Sequence, residues 1–285
     1  LERNGFEISA IFTHKDNPSE NIWFGSVAEL AGERGIPVFA PEDINHPVWI
    51  GRIRAMAPDF LFSFYYRNLI KEELLSIPKH GCINLHGSLL PKYRGAAPIQ
   101  WAVLNGDKIT GVTTMYLASE MDTGDIIYTA ETEIGEYETS GELFDRLKDM
   151  GAELLVKTLR DIDAGTAPRA PQDHSKASYV TMLDKSICPI EWNKTPREVL
   201  KHIYGLQPWP VATMELEGKT VRVFAAKYTD GKTEKVPGAV VSTDKGGLEI
   251  ACADGETLLI TELQAPGKKR MGAEDYLRGH QIKVE

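Results

Sequence analysis

The stretch Cys82-Ile83-Asn84-Leu85-His86, which runs on into "GSLLPKYRGAAPIQWA" (residues 87–102), joins a strand to a loop of glycine, proline and basic residues. Successive strand side chains point to opposite faces, so Asn84 and His86 share one face while Ile83 and Leu85 share the other. The apolar pair calls for a core. The polar pair, at the carboxyl end of the strand, calls for a cleft. The loop beyond it carries Gly87, Ser88 and Pro91, residue types suited to tight turns and close backbone approach.

Outward from this strand, strands and helices alternate. Upstream lie the strand "EISAIFTH" (7–14), a helix around "GSVAELAGERG" (25–35), the strand "IPVFA" (36–40) and a helix near "HPVWIGRIRAMA" (46–57). The strand "DFLFSFYY" (59–66) and a short helix "KEELLSI" (71–77) follow. Short apolar strands separated by helices predict βαβ units and a mostly parallel sheet covered on both faces. In such a sheet ligands bind beyond the carboxyl ends of the strands, where Asn84 and His86 stand. The opening "LERNG" reads as the last turn of a helix, so the sheet is expected to lack its first strand.

Downstream, "TGVTTMYLA" (110–118) and "GDIIYTAETEI" (124–134) predict two more strands. Between them "SEMDTGDI" presents Asp122 and Asp125 around a glycine turn. Residues 138–165 predict a helix: Thr139 and Glu142 form a capping box, Leu143, Leu147, Met150 and Leu154 make one apolar stripe, and Gly165 stops it. Residues 166–190 carry prolines and serines without a clean period and read as a linker between residues 1–165 and 191–285. After a short helix at "TPREVLKHIYGL" (195–206), alternating strands turn at Glu217-Gly218 and Asp254-Gly255, predicting a small antiparallel barrel or sandwich.

The 285 residues are 42% hydrophobic with a net charge of −9. Residues 191–285 hold 14 Lys+Arg and 14 Asp+Glu, so the negative charge falls on residues 1–190. That balance disfavours indiscriminate nucleic-acid binding but leaves room for a local basic turn at "GKKR" (267–270). No apolar run is long enough to span a bilayer, and no leader pattern is present, so a cytoplasmic protein is expected. The three cysteines, Cys82, Cys188 and Cys252, are odd in number and far apart, fitting neither a disulfide framework nor a zinc site.

An Asn, a His and an Asp at converging loops suit one kind of chemistry. The amide of Asn84 can hold an oxyanion, His86 can exchange a proton near neutrality, and the carboxylate of Asp122 favours the imidazolium and fixes its tautomer. No Ser or Cys sits in an elbow motif and no glycine-rich loop cradles phosphate. The attacking group is therefore expected from a substrate, in group transfer through a tetrahedral intermediate.

"NLHGSLLPKYRGAAPIQWAVLNGDKITGVTTMY" followed by "MDTGDI" resembles the 10-formyltetrahydrofolate-dependent formyltransferases, and the similarity runs across essentially the whole chain. The resemblance implies a Rossmann-like domain followed by an OB-like barrel, with Asn84, His86 and Asp122 as the catalytic triad and 10-formyltetrahydrofolate as formyl donor to a primary amine. It implies a folate site at Asn68, Leu69, Ile70, Ser88, Leu89, Leu90 and Pro91. Lys92, Arg94, Lys268, Lys269 and Arg270 are expected toward an anionic acceptor, with Arg94 and Lys92 equally suited to tying the loop down. No metal is implied, and a monomer is the default expectation.

Two acceptors compete. From Cys82 onward the chain resembles family members that formylate initiator methionyl-tRNA. The first eighty residues are similar to those acting on UDP-4-amino-4-deoxy-L-arabinose, an amino-sugar nucleotide. "KDNPSENIWFG" (15–25) is short and nearly neutral where the tRNA enzymes carry a basic loop, and Ala96 stands where the sugar enzymes tend to have Arg. The second half, covering more residues, puts methionyl-tRNA first. A catalytically inactive folate- or RNA-binding module and a formyltetrahydrofolate hydrolase are the readings from other classes.

Overall fold

The computed structural model describes residues 1–15, 25–66, 68–244 and 246–284. The neutral loop 15–25 falls, apart from its two ends, outside the described residues. In chain order the first elements are β1 (Ile11–Phe12), α1 (Val27–Glu33), β2 (Val38–Phe39), α2 (Pro47–Met56), β3 (Leu61–Ser63), α3 (Glu72–Leu75) and β4 (Cys82–His86). Then come β5 (Arg94–Gly95), α4 (Pro98–Leu104), β6 (Ile109–Tyr116), β7 (Ile126–Glu133), α5 (Ser140–Asp163) and β8 (Tyr179–Val180). The last are α6 (Pro196–Gly205), β9 (Thr213–Leu216), β10 (Lys219–Lys232), β11 (Val240–Ser242), β12 (Leu248–Ala251), β13 (Glu256–Gln264), β14 (Met271–Gly272) and α7 (Ala273–Arg278).

The chain divides into two compact units that interleave in sequence. One holds residues 1–95, 111–131 and 147–179; the other holds 96–110, 132–146 and 180–285. The stretch that composition marks as a linker therefore belongs, up to Tyr179, to the first unit.

In the first unit β1 pairs with β2 in parallel, and β3 and β4 pair in parallel within a sheet of order β3-β4-β6-β7. The partner of β4 on its other side, β6, runs antiparallel, with Asn84 opposite Met115 and His86 opposite Thr113. Ile83 packs with Ile127, Leu155, Leu159 and Ile162 in one core cluster. Leu85 lies so close to α5 that a Cβ on Gly151 would come within 2.6 Å of it. Ile83 and Leu85 thus face the long helix, as the alternation requires, leaving Asn84 and His86 the opposite face. A second cluster, Ile44, Ile50, Ile53, Ile70 and Leu74, packs α2 against the segment leading into α3. The predicted capping box of α5 is formed: Thr139 N–H and Oγ1 donate to Glu142, whose own N–H donates back to Thr139 Oγ1.

The second unit is a six-stranded antiparallel sheet of order β11-β12-β13-β10-β9, with β14 on β13. Register shifts along β10 mark bulges, which bend and twist a strand and curl the sheet into a half-barrel. Glu217 (φ 49°) and Gly218 (φ 70°) turn the β9–β10 hairpin, the paired positive φ values of a tight two-residue loop. Helix α6 starts on a capping box between Thr195 and Glu198. Helix α4 has no counterpart in the sequence expectations: its N-cap, Ala97, is left-handed and offers no capping side chain.

Candidate active site

Asn84 and His86 end β4 at 8% and 6% exposure. The His86 Nε2–H donates to the carbonyl of Tyr93 at 2.8 Å. A carbonyl oxygen only accepts, so this bond fixes a hydrogen on Nε2 and leaves Nδ1 as the nitrogen that can gain or lose a proton. Nδ1 faces Asp122, with Oδ2 at 3.7 Å. The same carboxylate oxygen accepts the Gly95 N–H at 2.7 Å, which orients it. The carboxamide of Asn84 is engaged by no hydrogen bond among the described residues. It remains available to a ligand on the face it shares with His86.

Two backbone positions here are costly. Tyr93 (φ 61°), whose carbonyl holds His86, and Asp122 (φ 55°) both sit in the left-handed region that non-glycine residues seldom occupy. Such strain persists only where surroundings over-determine it, and it gathers at functional sites. The surroundings are visible. Gly124 lies so close to the Tyr116 carbonyl that a Cβ would stand 1.8 Å from it, so only glycine fits that turn. The loop after β4 is pinned from several sides: Thr113 Oγ1 donates to Ser88 O and accepts the Leu90 N–H, and Ser88 Oγ donates to Lys92 O. Tyr93 N–H donates to Ser178 Oγ, and Arg94 N–H to Ser178 O.

The remaining expected residues divide by exposure. Ser88 and Leu90 are buried, and Ile70 belongs to the core cluster, so these three side chains point away from solvent. Asn68 and Leu69 are exposed, and Leu89 and Pro91 are half-buried. Asn45 Nδ2 donates to Leu69 O and Asn45 Oδ1 accepts from Lys71 N–H, so one side chain fixes this backbone. Lys92 is exposed, with its Nζ over the Tyr93 ring.

Arg94 departs from the expectation of an acceptor contact. It is 0% exposed, and its guanidinium donates to Gln172 Oε1, Tyr179 OH and His174 Nδ1. It ties the loop down instead. In the second unit Lys268 and Lys269 are exposed, while Arg270 forks onto the Glu262 carboxylate with two bonds of 2.6 Å and lies over Phe224. The Tyr93 carbonyl, the Gly95 N–H and Gln172 were not legible as site groups. Two are backbone atoms, and the third lies 50 residues from the aspartate it touches, so no local spacing marks it.

Among the described residues no helix is long and apolar enough to cross a membrane, and no group of three or more His, Cys, Asp or Glu is placed to hold a metal ion. The cysteines are free and buried.

The methionyl-tRNA formyltransferase of Acetivibrio thermocellus is 41% identical over 286 residues, spanning 99% of this chain and 92% of that protein. That of Clostridioides difficile is 40% identical over 98% of this chain and 91% of its own. Among solved structures, the sugar 3N-formyl transferase WlaRD, crystallised in the presence of dTDP and 5-N-formyl-THF, superposes with a TM-score of 0.69 at 19% identity. That match covers 94% of this chain and 92% of WlaRD, and at this identity it speaks for the fold. HypX from Aquifex aeolicus, in complex with tetrahydrofolic acid, gives a TM-score of 0.63 at 19% identity over 94% of this chain and 46% of HypX. The sequence profile "Formyl transferase" matches residues 3–159 and that of its C-terminal domain matches residues 182–281, so the chain belongs to the formyl transferase family and is a formyltransferase.

Proposed function

We propose that this chain moves a formyl group from 10-formyltetrahydrofolate to the amino group of methionyl-tRNA, the step that prepares the initiator for translation. The observation that carries the acceptor is identity near 40% along essentially the full chain to methionyl-tRNA formyltransferases. The reaction type is supported by the corner itself, which offers an unengaged carboxamide and an imidazole whose Nδ1 faces a carboxylate.

In this reading Asn84 donates its amide N–H to the formyl oxygen as negative charge grows there, a role for which a neutral, non-titrating donor is suited. His86 exchanges a proton through Nδ1, its ring held by the Tyr93 carbonyl so that no reorientation is needed. Asp122 stabilises the imidazolium and takes part in removing the amine's proton. The bound donor supplies the activated formyl group. Asn68, Leu69, Leu89 and Pro91, exposed or half-buried, and the buried Ile70, Ser88 and Leu90 are proposed to line the site that holds it. Lys268 and Lys269 are the exposed cations proposed to meet tRNA phosphate.

The test is direct. Incubated with 10-formyltetrahydrofolate, the chain is expected to formylate initiator methionyl-tRNA and leave UDP-4-amino-4-deoxy-L-arabinose unmodified. Formylation of the sugar nucleotide with none of the tRNA would overturn the acceptor.

A further inference from the structure

Residues 172–179 lie in the stretch that composition marks as a linker, yet they brace the back of the corner. Gln172 is the pivot, at 6% exposure. Its Oε1 accepts two hydrogen bonds from Arg94, from Nε at 3.2 Å and Nη2 at 2.6 Å. Its Nε2 donates to Asp122 O at 2.8 Å and to Gly124 O at 2.7 Å. Chemistry alone fixes which way this amide points. A guanidinium has only donors and the two carbonyls only accept, so the opposite orientation would lose all four bonds.

Arg94 is itself held rigidly. Its Nη1 donates to Tyr179 OH at 3.1 Å and its Nη2 to His174 Nδ1 at 3.2 Å. No carboxylate is in ion-pair distance of it among the described residues, and its charge is spent on polarising neutral acceptors. Charge-assisted bonds of this kind are the stronger ones, and in a dry setting they hold an amide in one place. What that amide holds is the backbone of Asp122, at its left-handed φ of 55°, and of Gly124 in the same turn. On the other side of the turn the Gly95 N–H holds Asp122 Oδ2. Gly95 follows Arg94 directly, so one dipeptide fixes both the carboxylate and, through Gln172, the backbone that carries it.

We infer that Gln172 is a positioning residue for formyl transfer: its carboxamide, oriented by the buried Arg94 guanidinium, clamps the Asp122 turn so that the carboxylate stays aimed at His86 Nδ1. The inference rests on the reading of Asp122 as a working group of the site.

A double-mutant cycle on the full chain tests it, with steady-state formylation of methionyl-tRNA as the readout. Gln172→Met keeps the length of the side chain and adds no charge. Gln172→Glu keeps its shape and its contact with Arg94 but presents an acceptor to Asp122 O and Gly124 O. Each is expected to lower kcat by about a hundredfold, the scale of an ångström-sized misplacement, with KM for both substrates within about twofold and a cooperative thermal transition. In an Asp122→Ala background the same substitutions are expected to change kcat by less than about twofold, because the group they position is gone. Near-wild-type kcat in both variants, an equal loss with and without Asp122, or failure of both to fold overturns the inference. Full activity of Asp122→Ala by itself would instead remove the reading on which it rests, and the inference with it.

Discussion

The loop that carries Arg94 and the turn that carries Arg270 both secure a guanidinium, and they do it in opposite ways. Arg94 is wholly enclosed and satisfied by an amide, a phenol and an imidazole, none of which cancels its charge. Arg270 is half exposed and paired bidentately with Glu262. The first arrangement is dear to break, since its loss leaves the carboxamide oxygen of the buried Gln172 unsatisfied. The second is cheap, because water replaces what is removed. The contrast teaches where this chain invests its precision: in the polar scaffold behind β4 rather than in its exposed basic turn.

The largest effect should come at the front of that scaffold. His86→Ala is expected to lower kcat by about 10²- to 10⁴-fold, the range of a general acid–base group, and Asn84→Ala by about 10²- to 10³-fold, the range of an oxyanion donor. Arg270→Ala should leave the rate with a small amine acceptor unchanged. Steady-state assays on the three proteins would break the comparison if Arg270→Ala matched either of the others.

Stability should follow the same order on a smaller scale. Arg94→Met strands Gln172 Oε1 and is expected to cost about 1–3 kcal/mol, whereas Arg270→Met, at a screened surface pair, should cost less than about 1 kcal/mol. Thermal or urea unfolding monitored by circular dichroism reads both. Lys268→Ala with Lys269→Ala sharpens the contrast from the other side. The pair should leave folding and turnover of saturating substrate intact while lowering the salt dependence of tRNA binding by about one unit of slope per lost phosphate contact. The smallest signal is an absence of reaction. Burial pushes the Cys82 and Cys252 thiols up to about 12 and raises Cys188 as well, so a thiol reagent at pH 8 should label none of them rapidly in the native chain and all three after denaturation.

Much of this is legible in the sequence. Strand periodicity puts Ile83 and Leu85 on one face and Asn84 and His86 on the other, because a pleat leaves no other choice, and it is the first pair that meets α5. The Thr139–Glu142 box, the Gly165 stop and the Glu217-Gly218 turn each follow from local rules that nothing distant overrides. What escaped is non-local or carried by the main chain. The seven-residue α4 begins at Pro98 after a left-handed alanine, so no capping side chain announces it. Arg94 reads as a surface charge because arginine is rarely buried, and its enclosure depends on partners 78 to 85 residues away. The same distance conceals Gln172, since composition sees prolines and serines where the fold uses one amide as a clamp.

The measurement closest to the heart of the account is single-turnover formylation by Asp122→Asn. The asparagine can still accept the Gly95 N–H through its carbonyl oxygen, so the substitution removes the charge facing His86 Nδ1 and little else. The chemical step is expected to slow by about 10²-fold, with affinity for both substrates retained. A chemical step at the wild-type rate would contradict it.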